Sequence, residues 1–300
     1  MTPAATGAAT QGAEGPLIPV LAVIGVGLIG GSVALALRRA GRVGRVLGVG
    51  RNAQSLARAQ ALGLIDAAVT PEEAAQADVV LLATPVGGLG AMLARLRPHL
   101  GAATLLTDAG STKAEVVEAA RAALGDRVAQ FVPGHPIAGA ERSGPEAADA
   151  GLYRGRTVIL TPLPENPPAG VARVRDLWQA CGARVIDMDA AAHDRVLASV
   201  SHMPHLLAAA YMAQVAAAAD APARLALAGT GFRDFTRIAA GSPEMWRDIF
   251  LSNRAALRAE LAAVRAVLDQ AEQAMAAGDG GALEALLERA AQARRNWRKE

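Results

Sequence analysis

The sequence predicts an α/β protein: a doubly wound parallel sheet in its N-terminal part, followed by an entirely helical C-terminal part. Three observations lead there. From Val20 to about Pro162, short β-branched or Leu-rich runs alternate with amphipathic helical stretches. A glycine-rich string, GVGLIGGS (25–32), joins the first such run to the first helical stretch. Beyond Asp187 no run reads as a strand. Strands separated by helical segments of roughly 10 to 15 residues indicate βαβ units and a parallel sheet.

Taken in order, strands are expected at 20–24, 45–49, 78–84, 103–107, 128–132 and 156–161, with helices between them at 29–40, 53–62, 86–97 and 112–124. The Pro-rich piece Thr161 to Pro168 reads as a loop, followed by a helix at 169–180 and a short strand at 183–187. After Asp187 come long Ala/Leu/Arg-rich helical stretches, broken near Asp220–Pro222, Gly229–Gly231, Gly241–Pro243 and Gly278–Gly281. These helices are apolar on more than one face, which points to burial against a partner subunit. The expected organisation is a leader over 1–18, a dinucleotide-binding domain over 19–187 and a helical substrate and dimerisation domain over 188–300.

Composition narrows the class. The chain is 52% apolar and 19% charged, enough apolar residues for a sizeable core. A net charge of +2 without a basic stripe interleaved with aromatics argues against nucleic-acid binding. The cluster Arg294–Arg295 through Lys299 reads as a solvated helix end. The single cysteine, Cys181, excludes an intramolecular disulfide and a Cys-based zinc cluster, and suits an intracellular protein. No stretch is expected to offer the roughly 18 to 20 uncharged apolar residues that span a bilayer, and Met1 to Pro19 lacks the pattern of a secretory signal. The expectation is a cytoplasmic protein with no membrane partner.

In GVGLIGGS, Gly25, Gly27 and Gly30 follow the G-x-G-x-x-G pattern. The first glycine permits a tight turn, the second lets the backbone approach a pyrophosphate, and the third allows close helix–strand packing. Leu28 and Ile29 open the helix whose N–H groups face the phosphates. Because the string follows a strand and opens a helix, it has the context of a Rossmann-type dinucleotide site. The second strand ends GVGRN (48–52) without the acid that would accept from a ribose 2′-hydroxyl. Arg51 can instead pair with a 2′-phosphate. NADP is the expected cofactor, with NAD as the alternative. ATPVG (83–87) ends another strand, so Thr84 and Pro85 are expected to flank the cofactor, although Pro85 also suits a plain helix start.

Two further strand ends carry polar sets. TDAGSTK (107–113) holds Asp108, Ser111 and Lys113, and either Ser111 or Thr112 has the chemistry of a helix cap. GHPIAGAERSG (134–144) places His135 just after an apolar run, where a side chain with near-neutral pKa suits acid–base work.

The glycine turn, DAGSTK, GHPIAG, HDRVLASVSHMPH (193–205) and FRDFTRIAAGSPEMWRDIFLSN (232–253) together resemble the prephenate/arogenate dehydrogenases, in order and spacing from about Val20 to Asn253. The resemblance implies oxidative decarboxylation of prephenate or arogenate on the route to tyrosine, with hydride passing to the nicotinamide. It implies His135 as the group that takes the ring hydroxyl proton, with Ser111 helping to orient it. It implies Arg237 as ligand of the ring carboxylate, His202 and His205 as side-chain contacts, and Trp246 and Arg247 as residues that close or support the site. Asp234, one helical turn before Arg237, is counted with the substrate-binding set; the spacing alone favours an intrahelical Asp–Arg pair. A homodimer is implied, no metal is needed, and inhibition by tyrosine would act in competition with substrate.

Two other classes have to be weighed. A non-catalytic NADP-binding redox sensor would have lost Ser111, His135 or Arg237, and all three are present. A 3-hydroxy acid dehydrogenase of the same layout would use a lysine in the helical domain, yet none occurs between Asp187 and the C-terminal tail.

Overall fold

The computed structural model describes residues 16–139 and 142–297. Of the expected leader only residues 16–18 fall within it, and the C-terminal basic run passes beyond its last described residue. By their internal contacts the residues form two units: 16–193 with Gly241–Ser252, and 194–240 with 253–297. The sequence expectation assigns everything after 187 to the helical domain; the contacts group Gly241–Ser252 with the first unit.

The first unit opens with β1 (Ile18–Ile24), α1 (Leu28–Arg39), β2 (Val43–Val49), α2 (Ala53–Ala61), β3 (Ala67–Ala68), α3 (Pro71–Ala74) and β4 (Val79–Leu82). It continues with α4 (Leu89–Leu96), β5 (Leu105–Asp108), α5 (Ala114–Leu124), β6 (Phe131–Val132), β7 (Gly134–Pro136), β8 (Thr157–Leu160), α6 (Pro168–Ala180) and β9 (Arg184–Asp187). Six strands pair in parallel in the order β3-β2-β1-β4-β5-β6. Every residue of β4 is buried, as expected for a strand covered on both faces by helices. The chain order reverses between β1 and β4, which makes their carboxyl ends the switch point of the sheet.

Local chemistry sets several boundaries. Asn52 caps α2 by accepting from the Ser55 N–H. Thr70 and Glu73 form a reciprocal capping box around α3, with Pro71 at its start. The expected helix 86–97 is divided into a 3-10 turn at Val86–Gly88, then α4, then another 3-10 turn.

The expected strand at 156–161 does not join the parallel sheet. It forms β8 of a separate three-stranded sheet, β7-β8-β9, antiparallel to β7 and parallel to β9. The expected strand 128–132 shrinks to β6, because residues 125–130 coil into 3-10 turns. Pro133 follows, and with no N–H it cannot extend the ladder. The chain then enters the second sheet, carrying His135 with it. In the core of this unit the rings of Tyr153 and Trp178 meet edge to face at 5.3 Å, both fully buried.

After α7 (Ala190–Leu197) the chain passes through α8 (Met203–Ala216), α9 (Ala221–Ala226), α10 (Thr230–Thr236), α11 (Pro243–Ser252), α12 (Arg254–Ala277) and α13 (Gly280–Asn296). Residues 194–240 and 253–297 make up the second unit and contain no strand among the described residues. Between α7 and α8, Ala198–His202 form a π-turn, with the Met203 N–H reaching back to the Ala198 carbonyl. Pro204 explains it: an ordinary α-turn would bring its ring against the carbonyl four residues earlier. Gly278 ends α12 with φ +63°, and Asp279 caps α13.

One composition reading is corrected. The run Ala190–Ala216 is long and apolar enough, by length and composition, to cross a membrane. Between Arg195 and Asp220 it carries no Asp, Glu, Lys or Arg, and its polar groups are His, Ser, Tyr and Gln.

Candidate active site

The glycine turn leaves β1 at the switch point. Gly25 has φ +96°, and a side chain there would meet the Ala83 carbonyl oxygen at 2.5 Å. A Cβ on Gly30 would lie 2.4 Å from the Gly25 oxygen and 2.5 Å from Val23, so α1 packs on β1 only because that side chain is missing. Gly27 is different: a Cβ there would find nothing within 4 Å. It stands at the N-terminus of α1 without a side-chain cap. The three glycines thus divide into turn, open approach and close packing, and Leu28 and Ile29 begin the helix whose first N–H groups face that space. The Tyr153 hydroxyl ties down the Ile29 carbonyl at 2.7 Å.

Thr84 lies against this turn; its methyl carbon would sit 3.2 Å from a Cβ on Gly25. Its hydroxyl oxygen is buried without a hydrogen-bond partner among the described residues. Pro85 precedes the 3-10 turn at 86–88. An orphaned hydroxyl beside an open glycine backbone and an uncapped helix start fits a bound dinucleotide. Arg51 is exposed just past β2, and no acid stands at that strand end.

At the carboxyl end of β5, Asp108 is fully buried and ion-paired with the equally buried Lys113. Its carboxylate also accepts from the Gly110 N–H (2.8 Å) and the Gly134 N–H (3.0 Å). Lys113 and Lys299 are the only lysines in the chain, against 30 Lys and Arg together. Lys113 thus brings a point charge on an unbranched stem, rather than a planar fork, into this buried pair. Neither Ser111 nor Thr112 caps α5: its N-cap is Lys113, with no side-chain cap bond. The Thr112 hydroxyl instead bonds that of Ser252, 2.8 Å away, and Ser111 is half-buried on the turn between Asp108 and Lys113.

The Gly134 N–H bond to Asp108 brings β7, and with it His135, to the end of β5. His135 pairs in register with Ile159 on β8 and is 8% exposed. Its Nδ1 lies 2.8 Å from Nε2 of His193, which is fully buried. His193 is not among the residues that the sequence singles out, although it heads the HDRVLASVSHMPH string. The only available signal is a histidine in the first turns of an apolar helix, which is more often structural.

α11 packs beside the 86–88 turn, where a Cβ on Gly87 would meet the Asp248 carboxylate at 3.0 Å. The same helix carries Trp246, half-buried and 5.5 Å from the Phe250 ring, and Arg247, paired with Asp248. Trp246 therefore belongs to the unit that holds the glycine turn.

The other expected substrate residues lie in the second unit. His205 is half-buried, with Nδ1 3.0 Å from the Ser201 carbonyl. Burial pushes its pKa below the ordinary histidine value, the Ser201 carbonyl opposes this, and the charge of Arg237 adds to the lowering. The neutral imidazole of His205 and the guanidinium of Arg237 are thus close neighbours. His202 is 1% exposed and held by Asn253, whose amide nitrogen lies 3.1 Å from His202 Nδ1 and 2.7 Å from the Asp194 carbonyl. Asp234 is largely exposed, with Arg233 at 3.8 Å.

A parallel sheet with this glycine turn at its switch point, an orphaned threonine hydroxyl beside it and a buried histidine at the next strand end define a dinucleotide-binding oxidoreductase architecture. Comparison with known proteins gives the family. Residues 33–187 match the family model "prephenate dehydrogenase, nucleotide-binding domain", and residues 189–289 match "prephenate dehydrogenase, dimerization domain". The cyclohexadienyl dehydrogenase of Zymomonas mobilis is 36% identical over 265 residues, covering 87% of this chain and 89% of that protein. The prephenate dehydrogenase of Bacillus subtilis is 38% identical over 235 residues, 77% of this chain; the match spans 63% of that longer protein. The crystal structure of prephenate dehydrogenase from Aquifex aeolicus in complex with hydroxyphenyl propionate and NAD+ is similar with a TM-score of 0.86 and 33% identity, covering 92% of this chain and 97% of that one. This chain belongs to the prephenate dehydrogenase family, with a nucleotide-binding domain followed by a dimerisation domain that includes the apolar run Ala190–Ala216.

Proposed function

We propose that this chain oxidises and decarboxylates prephenate or arogenate on the route to tyrosine, as a cytoplasmic homodimer that prefers NADP to NAD. The observation that carries the reading is His135: a buried imidazole fixed to the end of β5 through Gly134 and Asp108, in the unit that holds the glycine turn. When bound, the nicotinamide supplies the hydride acceptor. The C–H bond at the hydroxyl-bearing ring carbon breaks with its electron pair leaving as hydride. His135 draws the hydroxyl proton as that carbon gains carbonyl character. The ring C–carboxylate bond then breaks, its electron pair enters the ring, and carbon dioxide leaves. The proton returns to oxygen once the ring is aromatic, so no net proton is consumed.

Ser111, half-buried and free of capping duty, orients the hydroxyl beside His135. Arg237 binds the ring carboxylate, for which a planar fork is suited. His205, neutral beside Arg237, contacts the substrate side chain, and the buried His202 supports it from within the helix. Trp246 covers the ring, and Asp234 adjusts the charge around Arg237. The acid-free end of β2 with exposed Arg51 supports NADP, because nothing there repels a 2′-phosphate.

The test is cofactor reduction measured with prephenate and arogenate, each with NAD and NADP. Turnover of one or both acids, with a higher kcat/KM for NADP, is expected. Turnover of neither would refute the substrate assignment, and a higher kcat/KM for NAD would refute the cofactor preference.

A further inference from the structure

The contact between His135 and His193 is not required by the proton transfer alone. Nδ1 of His135 stands 2.8 Å from Nε2 of His193, and the rings meet edge to face with centroids 5.1 Å apart at 65°. We propose that His193 is a positioning residue that holds His135 in the tautomer protonated on Nδ1, leaving the Nε2 lone pair to receive the substrate proton. The proposal rests on the reading of His135 as the base.

Two imidazole nitrogens at this distance must share one proton, since two lone pairs or two N–H groups would repel. Only two arrangements of neutral rings satisfy that. Either His135 donates from Nδ1 and His193 accepts at Nε2, or the roles are reversed. In the reversed case His135 bears its proton on Nε2 and its only lone pair faces His193, so it cannot accept from substrate. The first case is the only one in which neutral His135 works as a base. Which ring nitrogen of a histidine is protonated is set by the bond the other one makes.

Position is set along with the tautomer. The His135 main chain is held by its register with Ile159 and by the neighbouring Gly134 N–H bond to Asp108. A side chain anchored at its backbone and at Nδ1 has little freedom to turn Nε2 away. His193 is held in turn: its N–H bonds the Asp189 carbonyl at 2.8 Å, and the Asp189 carboxylate accepts the N–H groups of Ala191 and Ala192 at 3.0 Å. The first turn of α7 is therefore capped by Asp189, and it presents His193 to His135. When His135 takes the substrate proton, the bond to His193 keeps its ring in place, the part that a carboxylate plays in many hydrolases.

The test uses His193→Leu and His193→Gln in the full chain. Glutamine sets an amide oxygen near the place of Nε2 and can still accept from His135. His193→Leu is expected to lower kcat about 10- to 100-fold with KM for both substrates within about twofold, by analogy with the loss when a hydrogen-bond partner that orients a metal-bound histidine is removed. His193→Gln is expected to recover most of that loss. Side-chain 15N NMR of the wild-type protein at neutral pH is expected to show His135 protonated on Nδ1, and to show that preference lost in His193→Leu. Unchanged kcat in a folded His193→Leu, or His135 protonated on Nε2 in the wild type, would overturn the proposal. Should His193→Leu fail to fold, the wild-type tautomer and the His193→Gln kinetics decide. Full activity in His135→Asn would overturn the base assignment and the proposal with it. Loss in His135→Asn alongside normal turnover in His193→Leu overturns the proposal alone.

Discussion

Replacing Lys113 by methionine removes the ammonium from a fully buried ion pair and keeps the length of the stem. Asp108 is then left with the Gly110 and Gly134 N–H groups, at 2.8 and 3.0 Å, in a place without solvent. Breaking one side of a buried pair costs about 3 to 5 kcal/mol. Lys113→Met is therefore expected to lose about 3 to 5 kcal/mol at neutral pH.

Urea denaturation followed by circular dichroism at neutral pH reads the variant. A loss under about 1 kcal/mol would refute the reasoning.

His135→Asn should keep the fold and cofactor affinity while kcat falls by about two to four decades, the usual worth of a general base; collapse of cofactor binding with normal turnover would make its role structural. Arg51→Ala should weaken NADP far more than NAD in equilibrium titrations, because only NADP offers a 2′-phosphate, and equal weakening would refute the pairing. Arg237→Gln should raise substrate KM about ten- to a hundredfold, the equivalent of a charge-assisted bond worth about 1.5 to 3 kcal/mol. Lysine there should rescue only in part, and a lower melting temperature with unchanged KM would remove Arg237 from the site. Burial pushes the Cys181 thiol up to about 12, so the folded protein should resist thiol reagents at pH 8 and react once unfolded; fast native labelling would contradict its packing.

The Rossmann turn is legible residue by residue, because its demands are local. Gly25 must take a positive φ, Gly27 must leave space, and Gly30 must lack a Cβ, all within six positions. The helical second part is legible for a similar reason, since its interruptions fall at Gly, Pro and Asp residues that punctuate any helix. The TPEE start of α3 has the pattern of a capping box, but a helix of one turn leaves no periodicity to find it by. The short edge strand β3 is not readable: its two residues are a strand through pairing with β2 rather than through their own composition, while the strand expected at 128–132 survives only as the two residues of β6. The apolar run Ala190–Ala216 is easily underestimated because its alanines and scattered histidines hide how long it goes without a charge.

The sequence by itself determined the alternation of the longer strands and helices, the place of the dinucleotide turn and the residue types of the site, since each depends on neighbours within a turn or two. Which of those residues meet was decided by the tertiary structure. Asp108 reaches Gly134 across 26 positions, Thr112 reaches Ser252 across 140, and His135 reaches His193 across 58. Pro133 sends the chain from the parallel sheet into a second one, and that change of sheet sets the neighbours of His135. No periodicity encodes such contacts: they arise where buried polar groups find the partners that make burial tolerable.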